Sequence, residues 1–309
     1  MNRSVRLFSV RLAAALVLVG QVAPAQDAGG GKLPLWKVTG ENSTAYLFGS
    51  IHFARKDMYP LDPAVTTAFD ESDTLVVEID IAKIDPTEIQ QLMMSEGTYG
   101  AGESLSAQLS EDELSRLKSF IAERSFPFPL FDRFRPWLAA MMVTILEVQR
   151  LGFKTDLGID MHFLKRAHEI EKPIYALESV DFQIRLLSGF SDEMHRLFLT
   201  QTIEQMAEIP KMVDELVAVW KSGDADALDR LLVQPQKNDE RMVPLFEKLL
   251  RDRNFTMTDK IRELMTSGGT WFVVVGAGHM IGKDGLVDLF ERDENFSVTQ
   301  LSAQAAVSR

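Results

Sequence analysis

Two short stretches decide the fold of this 309-residue chain. Residues 46–52 read YLFGSIH, and residues 273–279 read VVVGAGH. In each, a run of apolar residues typical of a strand ends at a glycine, and a histidine follows three positions later. In open α/β sheets, ligands bind beyond the carboxyl ends of the strands. The two histidines, His52 and His279, are therefore predicted to enter one crevice at the edge of a sheet.

The rest of the chain supplies further strands and two long helical stretches. Runs at 74–79, 174–177 and 271–275 are almost continuously apolar, which predicts strands buried on both faces. Shorter strands are predicted at 35–38, 45–48 and 297–299, whereas about 85–155 and about 185–265 show only helical periodicity. The pattern predicts an α/β fold with a central mixed sheet, whose strands come from both chain ends and the middle. Helices flank the sheet, and the two mainly helical stretches are insertions in it.

Composition excludes several classes of function. The chain has 33 Lys and Arg against 45 Asp and Glu, a formal net charge of −12. This acidic balance argues against binding to nucleic acid or to anionic lipid, because both partners require a basic face. The sequence contains no cysteine, which excludes disulfides, thiolate catalysis and cysteine-type zinc sites.

The first 25 residues have the pattern of a Sec-type signal peptide. Arg3, Arg6 and Arg11 form a basic region, residues 12–19 form a short apolar run, and Ala23-Pro24-Ala25 is typical of a cleavage site. Cleavage is predicted after Ala25. Residues 26–309 are then predicted to form a single exported domain, periplasmic or secreted, with no transmembrane anchor after cleavage.

Two carboxylates occupy positions equivalent to those of the histidines. Glu78 lies near the end of its strand, and Glu178 directly follows residues 174–177. An acid at the end of a buried strand requires a partner, either an arginine in a structural ion pair or a bound cation. Two histidines with one or two carboxylates suit a divalent metal, and a further carboxylate is then free to act as a base.

Several blocks of the sequence resemble the TraB/GumN family, which includes the Tiki metalloproteases and is similar to the erythromycin-esterase and ChaN-like fold group. The blocks span about residues 33–301. They are Leu35-Trp36-Lys37-Val38, Gly49-Ser50-Ile51-His52, Gly158-Ile159-Asp160, Ala176-Leu177-Glu178-Ser179, Arg253-Asn254-x-x-Met257 and Gly276-Ala277-Gly278-His279.

The resemblance implies roles for individual residues. His52 and His279 would belong to a metal or catalytic site, Glu78 would be the catalytic acid/base, and Glu178 would be a second active-site carboxylate. Asp160 and Arg253 would orient the substrate or support the site.

The expected function is that of an exported metal-dependent hydrolase, a Tiki-like metallopeptidase acting on a peptide or protein. His52, His279 and Glu178 would hold Mn, Co or Zn, and Glu78 would be the general base. Arg55, three residues after His52, is a candidate for holding the substrate or the oxyanion, and a solvated loop arginine is the alternative. Two other functions remain open: a non-catalytic protein that binds haem, a metal or another ligand, and a metal-independent esterase that uses His52 and Glu78.

Overall fold

The computed structural model describes residues 31–234 and 239–303, and its centre is a six-stranded mixed sheet. The strands are β1 (Lys32–Thr39), β2 (Ser43–Ser50), β3 (Thr74–Val77), β4 (Ile174–Ala176), β5 (Gly269–Gly276) and β6 (Ser297–Ser302). Their order across the sheet is β4-β3-β5-β2-β1-β6. The first four of these are mutually parallel, and β1 runs antiparallel to both β2 and β6. The predicted fold class is confirmed, and the predicted signal peptide lies outside the described residues.

The helices lie mostly in the two predicted insertions. They are α1 (Pro63–Asp70), α2 (Pro86–Gly97), α3 (Glu111–Glu123), α4 (Phe128–Phe131), α5 (Pro136–Arg150), α6 (Ile159–Glu169), α7 (Val180–Ser188), α8 (Asp192–Gln205), α9 (Ile209–Ser222), α10 (Ala225–Leu232), α11 (Val243–Phe246), α12 (Asp252–Thr266), α13 (Ala277–Met280) and α14 (Leu286–Glu291). A π-helical turn, Glu247–Arg251, joins α11 to α12. Within the described ranges, no helix is both long and apolar enough to cross a membrane.

Local sequence signals explain where several helices begin. At the start of α1, the Asp62 side chain accepts a 2.8 Å hydrogen bond from the amide of Ala64, and Pro63 takes the first helical position. At the start of α3, Ser110 and Glu113 form a capping box, in which each side chain accepts a hydrogen bond from the other residue's amide. These caps satisfy amides that have no partner inside the helix, so both helix starts could be read from the sequence.

Aromatic side chains pack helices against the centre of the sheet. The ring centroid of Phe163 in α6 lies 4.8 Å from that of Phe272 in β5 and 5.9 Å from that of Phe48 in β2. Trp220 of α9 packs against Phe48, and its Nε1 donates a 2.7 Å hydrogen bond to the carbonyl of Gly49. Burial of such rings contributes about 1.5–3 kcal/mol each, and the indole bond supports the end of β2 just before His52.

One predicted strand is exposed rather than buried. β4 has three residues and lies at the edge of the sheet, where the side chain of Tyr175 is 38% exposed. The expectation that this run is buried on both faces is therefore wrong. An edge strand has a neighbour on one side only, and its apolar residues do not reveal that position in the sheet.

Candidate functional site

The carboxyl ends of four parallel strands meet at one edge of the sheet. In the register of β2 with β5, Ser50 lies opposite Gly276, so the chain leaves both strands at the same level. Val77 at the end of β3 lies opposite Val274 of β5 and Ala176 of β4. The residues that follow the four strands are therefore brought side by side, and they include His52, Glu78, Glu178 and His279.

The pairing of β3 and β4 continues beyond both strands. The amide of Leu177 donates a 2.8 Å hydrogen bond to the carbonyl of Val77, and the amide of Glu178 donates an equal bond to the carbonyl of Glu78. The two glutamates therefore lie next to each other across this extension. Two buried carboxylates this close repel each other unless a cation lies between them.

That cation is the guanidinium of Arg253, which is 5% exposed. Its Nη2 lies 2.6 Å from Glu78 Oε2 and 2.8 Å from Glu178 Oε2, while its Nε lies 2.9 Å from Glu178 Oε1. The side-chain amide of Gln183 donates to the same pair of carboxylates, at 3.1 Å to Glu78 Oε2 and 2.8 Å to Glu178 Oε2. Both oxygens of Glu178 are thus engaged by these two side chains.

Glu78 keeps one oxygen directed toward the histidines. Its Oε1 accepts a 2.7 Å hydrogen bond from the amide of Gly276 and lies 4.0 Å from His279 Nε2. Burial raises the pKa of this carboxyl, but the charge of Arg253, that of His279 when it is protonated, that of His52, and the Gly276 amide together outweigh burial. The net effect holds the pKa of Glu78 well below its ordinary value, so the group is ionised at neutral pH.

Hydrogen bonds determine which ring nitrogen of His279 carries the proton. Asn254 Nδ2 donates a 2.8 Å bond to the carbonyl of Asp284, so its Oδ1 is the acceptor for His279 Nδ1 at 2.6 Å. Burial and the charge of Arg253 lower the pKa of His279 to about 3, despite the opposing charge of Glu78. The ring is therefore neutral at physiological pH, with its proton on Nδ1 and a free lone pair on Nε2.

His52 is held by a carboxylate in the corresponding way. Its Nδ1 lies 3.2 Å from Asp160 Oδ1 at the start of α6, and its side chain is 33% exposed. Burial lowers the pKa of His52, but the charge and hydrogen bond of Asp160 together outweigh it and raise the pKa to about 9. The Nδ1 of each histidine therefore lies next to a side-chain oxygen, in an ion pair for His52 and in a hydrogen bond for His279.

The three groups converge beside Gly276. A Cβ placed there would lie 3.4 Å from Glu78 Oε1, 3.5 Å from His52 Nε2 and 3.7 Å from His279 Cδ2. This point borders a pocket of about 310 Å³, whose lining includes His52, Glu78, Asp160, Gln183, Arg253 and His279. Apolar side chains such as Ile79, Met141 and Leu187 form the remaining walls. A pocket with apolar walls and a few convergent polar groups has the usual make-up of a ligand site.

Two of the predicted site residues do not line this pocket. Glu178 lies behind Arg253, with both oxygens engaged. Arg55 is paired with Asp57 at 2.8 Å, and its guanidinium lies 4.5 Å from the centre of the Phe153 ring. The structure therefore does not support Arg55 as a substrate or oxyanion group. Asp57 lies two residues from Arg55, whereas Phe153 lies about a hundred residues away. The local sequence therefore shows the first partner and not the second.

A metal site requires several donor side chains directed at one point. In the described part of the chain, no group of three or more His, Asp or Glu residues could hold a metal ion. The Nε2 of His52 lies beside the point where the three groups converge, and the nearest atom of His279 to that point is its Cδ2. The neighbouring Nε2 of His279 lies 4.0 Å from Glu78 Oε1. The available donors are therefore the two imidazoles and not Glu178, whose oxygens bind Arg253. The Nε2 of His279 is already unprotonated, whereas His52, with its pKa raised to about 9, would have to release a proton to bind a metal.

Sequence reasoning missed two side chains that organise the site. Asn254 orients His279, and it could have been noticed because it directly follows Arg253 in a family-like block. Gln183 bridges Glu78 and Glu178 from α7, and nothing in the local sequence distinguishes it from a solvated glutamine.

Comparison with known proteins places the chain in a family. Residues 34–300, which include all of the site residues, match the model of the TraB/PrgY/gumN family. The chain belongs to this family. The family resemblance of the sequence blocks is thus confirmed.

Relatives of this TraB/PrgY/gumN protein include bacterial and animal chains. It is 28% identical over 250 residues to the uncharacterized protein YbaP of Escherichia coli, covering 79% of this chain and 87% of that protein. It is 22% identical over 312 residues to metalloprotease TIKI1 of Xenopus tropicalis, covering 84% of this chain and 59% of that protein. Human metalloprotease TIKI1 is also 22% identical, over 314 residues that cover 84% of this chain and 60% of that protein. The comparison with solved structures found no match.

Proposed function

We propose that this TraB/PrgY/gumN protein is a metal-dependent hydrolase that cleaves peptide bonds in the pocket beside Gly276. The observation that carries the proposal is the convergence of His52 Nε2, the His279 ring and one ionised carboxylate oxygen of Glu78 on that point. Distant relatives that are named metalloproteases support the same reaction class. A peptide or protein is the proposed substrate.

His52 and His279 are the proposed metal ligands, and the metal is Mn, Co or Zn. A divalent ion held there would lower the pKa of a bound water, so that even a weakly basic carboxylate could take its proton. The Nδ1 contacts to Asp160 and Asn254 fix the orientation of both rings. Glu178, which the sequence assigned as a ligand, instead shares Arg253 with Glu78.

Glu78 is the proposed general base. Its Oε1 faces the pocket, while Arg253 and Gln183 hold its Oε2 and the amide of Gly276 fixes Oε1. The contacts with Arg253 and the Gly276 amide lower its pKa and also keep the carboxylate in one orientation. Glu78 would take a proton from the attacking water and deliver it to the leaving amine. Arg253 is a positioning residue, because carboxylates engage its Nε and Nη2.

A metal-loading experiment tests this proposal. Purified protein loaded separately with Mn, Co and Zn is expected to retain about one ion per chain and to hydrolyse peptides from a mixed library. The His52→Ala/His279→Ala double variant is expected to lose both metal and turnover. His162→Ala is the matched control, because His162 is a half-buried histidine that does not line this pocket. Metal retention in the parent without turnover under any metal would instead indicate a binding protein.

A metal-independent hydrolase is the second candidate. It is favoured by the lack of a three-donor group among the described residues and by the pairing of His52 with Asp160. In that case the parent would bind no metal, yet it would hydrolyse esters, and His52→Ala would abolish this activity. The same set of proteins therefore distinguishes the two reactions.

Asn254→Ala tests whether the orientation of His279 matters. Loss of the acceptor for Nδ1 frees the ring to rotate and to change tautomer, so metal affinity and kcat/KM are expected to fall about 10- to 100-fold. Asn254→Asp retains an acceptor oxygen and is expected to restore most of the loss. Equal activity in the parent and the alanine variant would show that Asn254 does not position the histidine.

Export is the proposed route to the site of action. The basic and apolar regions and the Ala23-Pro24-Ala25 pattern support a signal peptide cut after Ala25. A periplasmic or secreted location would expose the pocket to extracytoplasmic peptides.

A further inference from the structure

A second cavity lies beside the candidate active-site pocket. Its volume is about 430 Å³, and Asn254, which orients His279, is the side chain of the proposed mechanism that borders it. Its apolar walls are formed by Val233, Val243, Phe246, Leu250 and Ile281. The volume lies within the usual range of small-molecule and side-chain sites.

The two cavities share part of their lining. Leu250 and Gly278 border both, and Gly278 directly precedes His279. A Cβ placed on Gly278 would have Leu250 Cδ2 as its nearest neighbour, at 3.8 Å. A substrate bound beside His279 could therefore direct one side chain past Gly278 into the second cavity.

The shared wall comes from the π-helical turn Glu247–Arg251. This turn contributes Leu249 and Leu250 to the active-site pocket, and Glu247, Leu250 and Arg251 to the second cavity. It leads directly into α12, which carries Arg253 and Asn254. π-helical turns recur at functional sites because the wider turn redirects side chains.

The charges around the second cavity largely neutralise one another. Arg251 Nε lies 3.3 Å from Asp284 Oδ2, and its Nη1 lies 3.5 Å from Glu247 Oε1. Of the charged lining residues, Lys283 has no ion pair within the described ranges. A charged ligand would lose its hydration among the apolar lining residues, at a cost in free energy. An uncharged apolar ligand is instead stabilised by about 25 cal/mol per Å² of buried surface.

We propose that this cavity binds a bulky apolar or aromatic side chain of the substrate, next to the bond that is cleaved. The inference rests on the proposed peptide hydrolysis and adds a substrate class to it. Val243 and the other wall residues would then determine specificity without touching the reacting atoms.

A peptide series tests this inference. The peptides have one sequence of small polar residues with a single Phe placed at successive positions, and the reference peptide has Ala at every one of them. The parent is expected to cleave one Phe peptide with kcat/KM at least about tenfold above that of the Ala peptide. Val243→Trp fills the cavity from a half-buried wall position and is expected to remove this preference while the Ala peptide is still cleaved.

Val287→Trp is the matched control. Val287 is also half-buried, and it lines another cavity, which has Ile281 in common with the second cavity but neither Leu250 nor Gly278. This variant is expected to keep the parental preference. Val243→Phe serves as a smaller filling variant if thermal unfolding shows that Val243→Trp does not fold. Equal rates for the Phe and Ala peptides in the parent, or an unchanged preference in the folded filling variant, would overturn the inference.

A direct binding measurement separates this inference from the proposed function. Binding of N-acetylphenylalaninamide is followed by NMR in the parent, in Val243→Trp and in Val287→Trp. Binding that only Val243→Trp loses supports the apolar subsite even if no peptide is cleaved, and the proposed hydrolysis alone then fails. Peptide cleavage without a Phe preference and without this binding leaves the hydrolase proposal intact and overturns the subsite.

Discussion

Glu78→Gln is expected to lower kcat/KM for peptide hydrolysis by about 10²- to 10⁴-fold, the usual contribution of a general base. The amide has nearly the same shape as the carboxylate, but its oxygen cannot take a proton at neutral pH. His52 and His279 keep their Nδ1 partners, so metal content is expected to stay near that of the parent. Steady-state kinetics on one peptide, with metal content measured on the same sample, checks both expectations.

A matched variant controls for the loss of a carboxylate as such. Glu88 is an exposed glutamate in the first turn of α2, and Glu88→Gln is expected to retain parental kinetics. Parental turnover in a folded Glu78→Gln protein would show that Glu78 is not the base. The His52–Asp160 pair would then be the next candidate for that role.

Arg253→Met is expected to lower the free energy of unfolding at pH 7 by about 3–5 kcal/mol, because it leaves two buried carboxylates without their cation. In the parent, Glu78 and Glu178 share one guanidinium nitrogen. After the substitution, Gln183 still donates to both carboxylates, but its amide is neutral and does not replace the lost charge. Urea unfolding of the parent and the variant measures the difference. In the proposed mechanism, any concurrent loss of activity would follow from the displaced Glu78, which Arg253 positions.

The effect of Arg253→Met should shrink on acidification. In the parent, the pKa of Glu78 is held below its ordinary value of 4.5, so its stabilising contribution is present above that pH. The contribution is lost as the pH falls toward the lowered folded-state pKa. In the variant Glu78 loses the charge of Arg253, the largest of the effects that lower its pKa, and takes up a proton more readily. The two unfolding curves are therefore expected to approach each other as the pH falls below about 4.5.

Arg150→Met is the control for removal of an arginine from a buried carboxylate. Glu147 is buried and paired with both Arg124 and Arg150, and the Arg150 side chain is 53% exposed. One cation remains after this substitution, so the expected cost is within about 1 kcal/mol. A similar loss of stability in both variants would contradict the idea that Arg253 stabilises the fold as the cation shared by two buried carboxylates.

The fold was largely predictable because its signals are local. Apolar runs ending in Gly49 and Gly276 mark two parallel strands, and the caps at Asp62 and Ser110 mark helix starts. Each of these features depends on neighbours within a few residues. The edge position of β4 did not follow from its sequence, because the neighbours of a strand come from distant segments.

The residues of the site were more predictable from the sequence than the contacts between them. His52, Glu78 and His279 could be placed at strand ends from the sequence, and the structure brings them to one point. The position of Arg253 between the two glutamates could not be predicted from the sequence, because Arg253 lies 175 residues from Glu78 along the chain. Arg55 follows His52 closely in the sequence, yet its side chain packs against Phe153 instead of the pocket.

The sequence by itself determined the α/β class, the strands that carry the site and the residue types at their ends. Those properties depend on periodicity and on short-range sterics, which a linear chain already contains. Only the tertiary structure decided that Glu178 faces Arg253, that Asn254 orients His279, and that a second cavity opens beside Gly278. These properties depend on which side chains reach the same buried charge or space, and the packing of distant segments determines that.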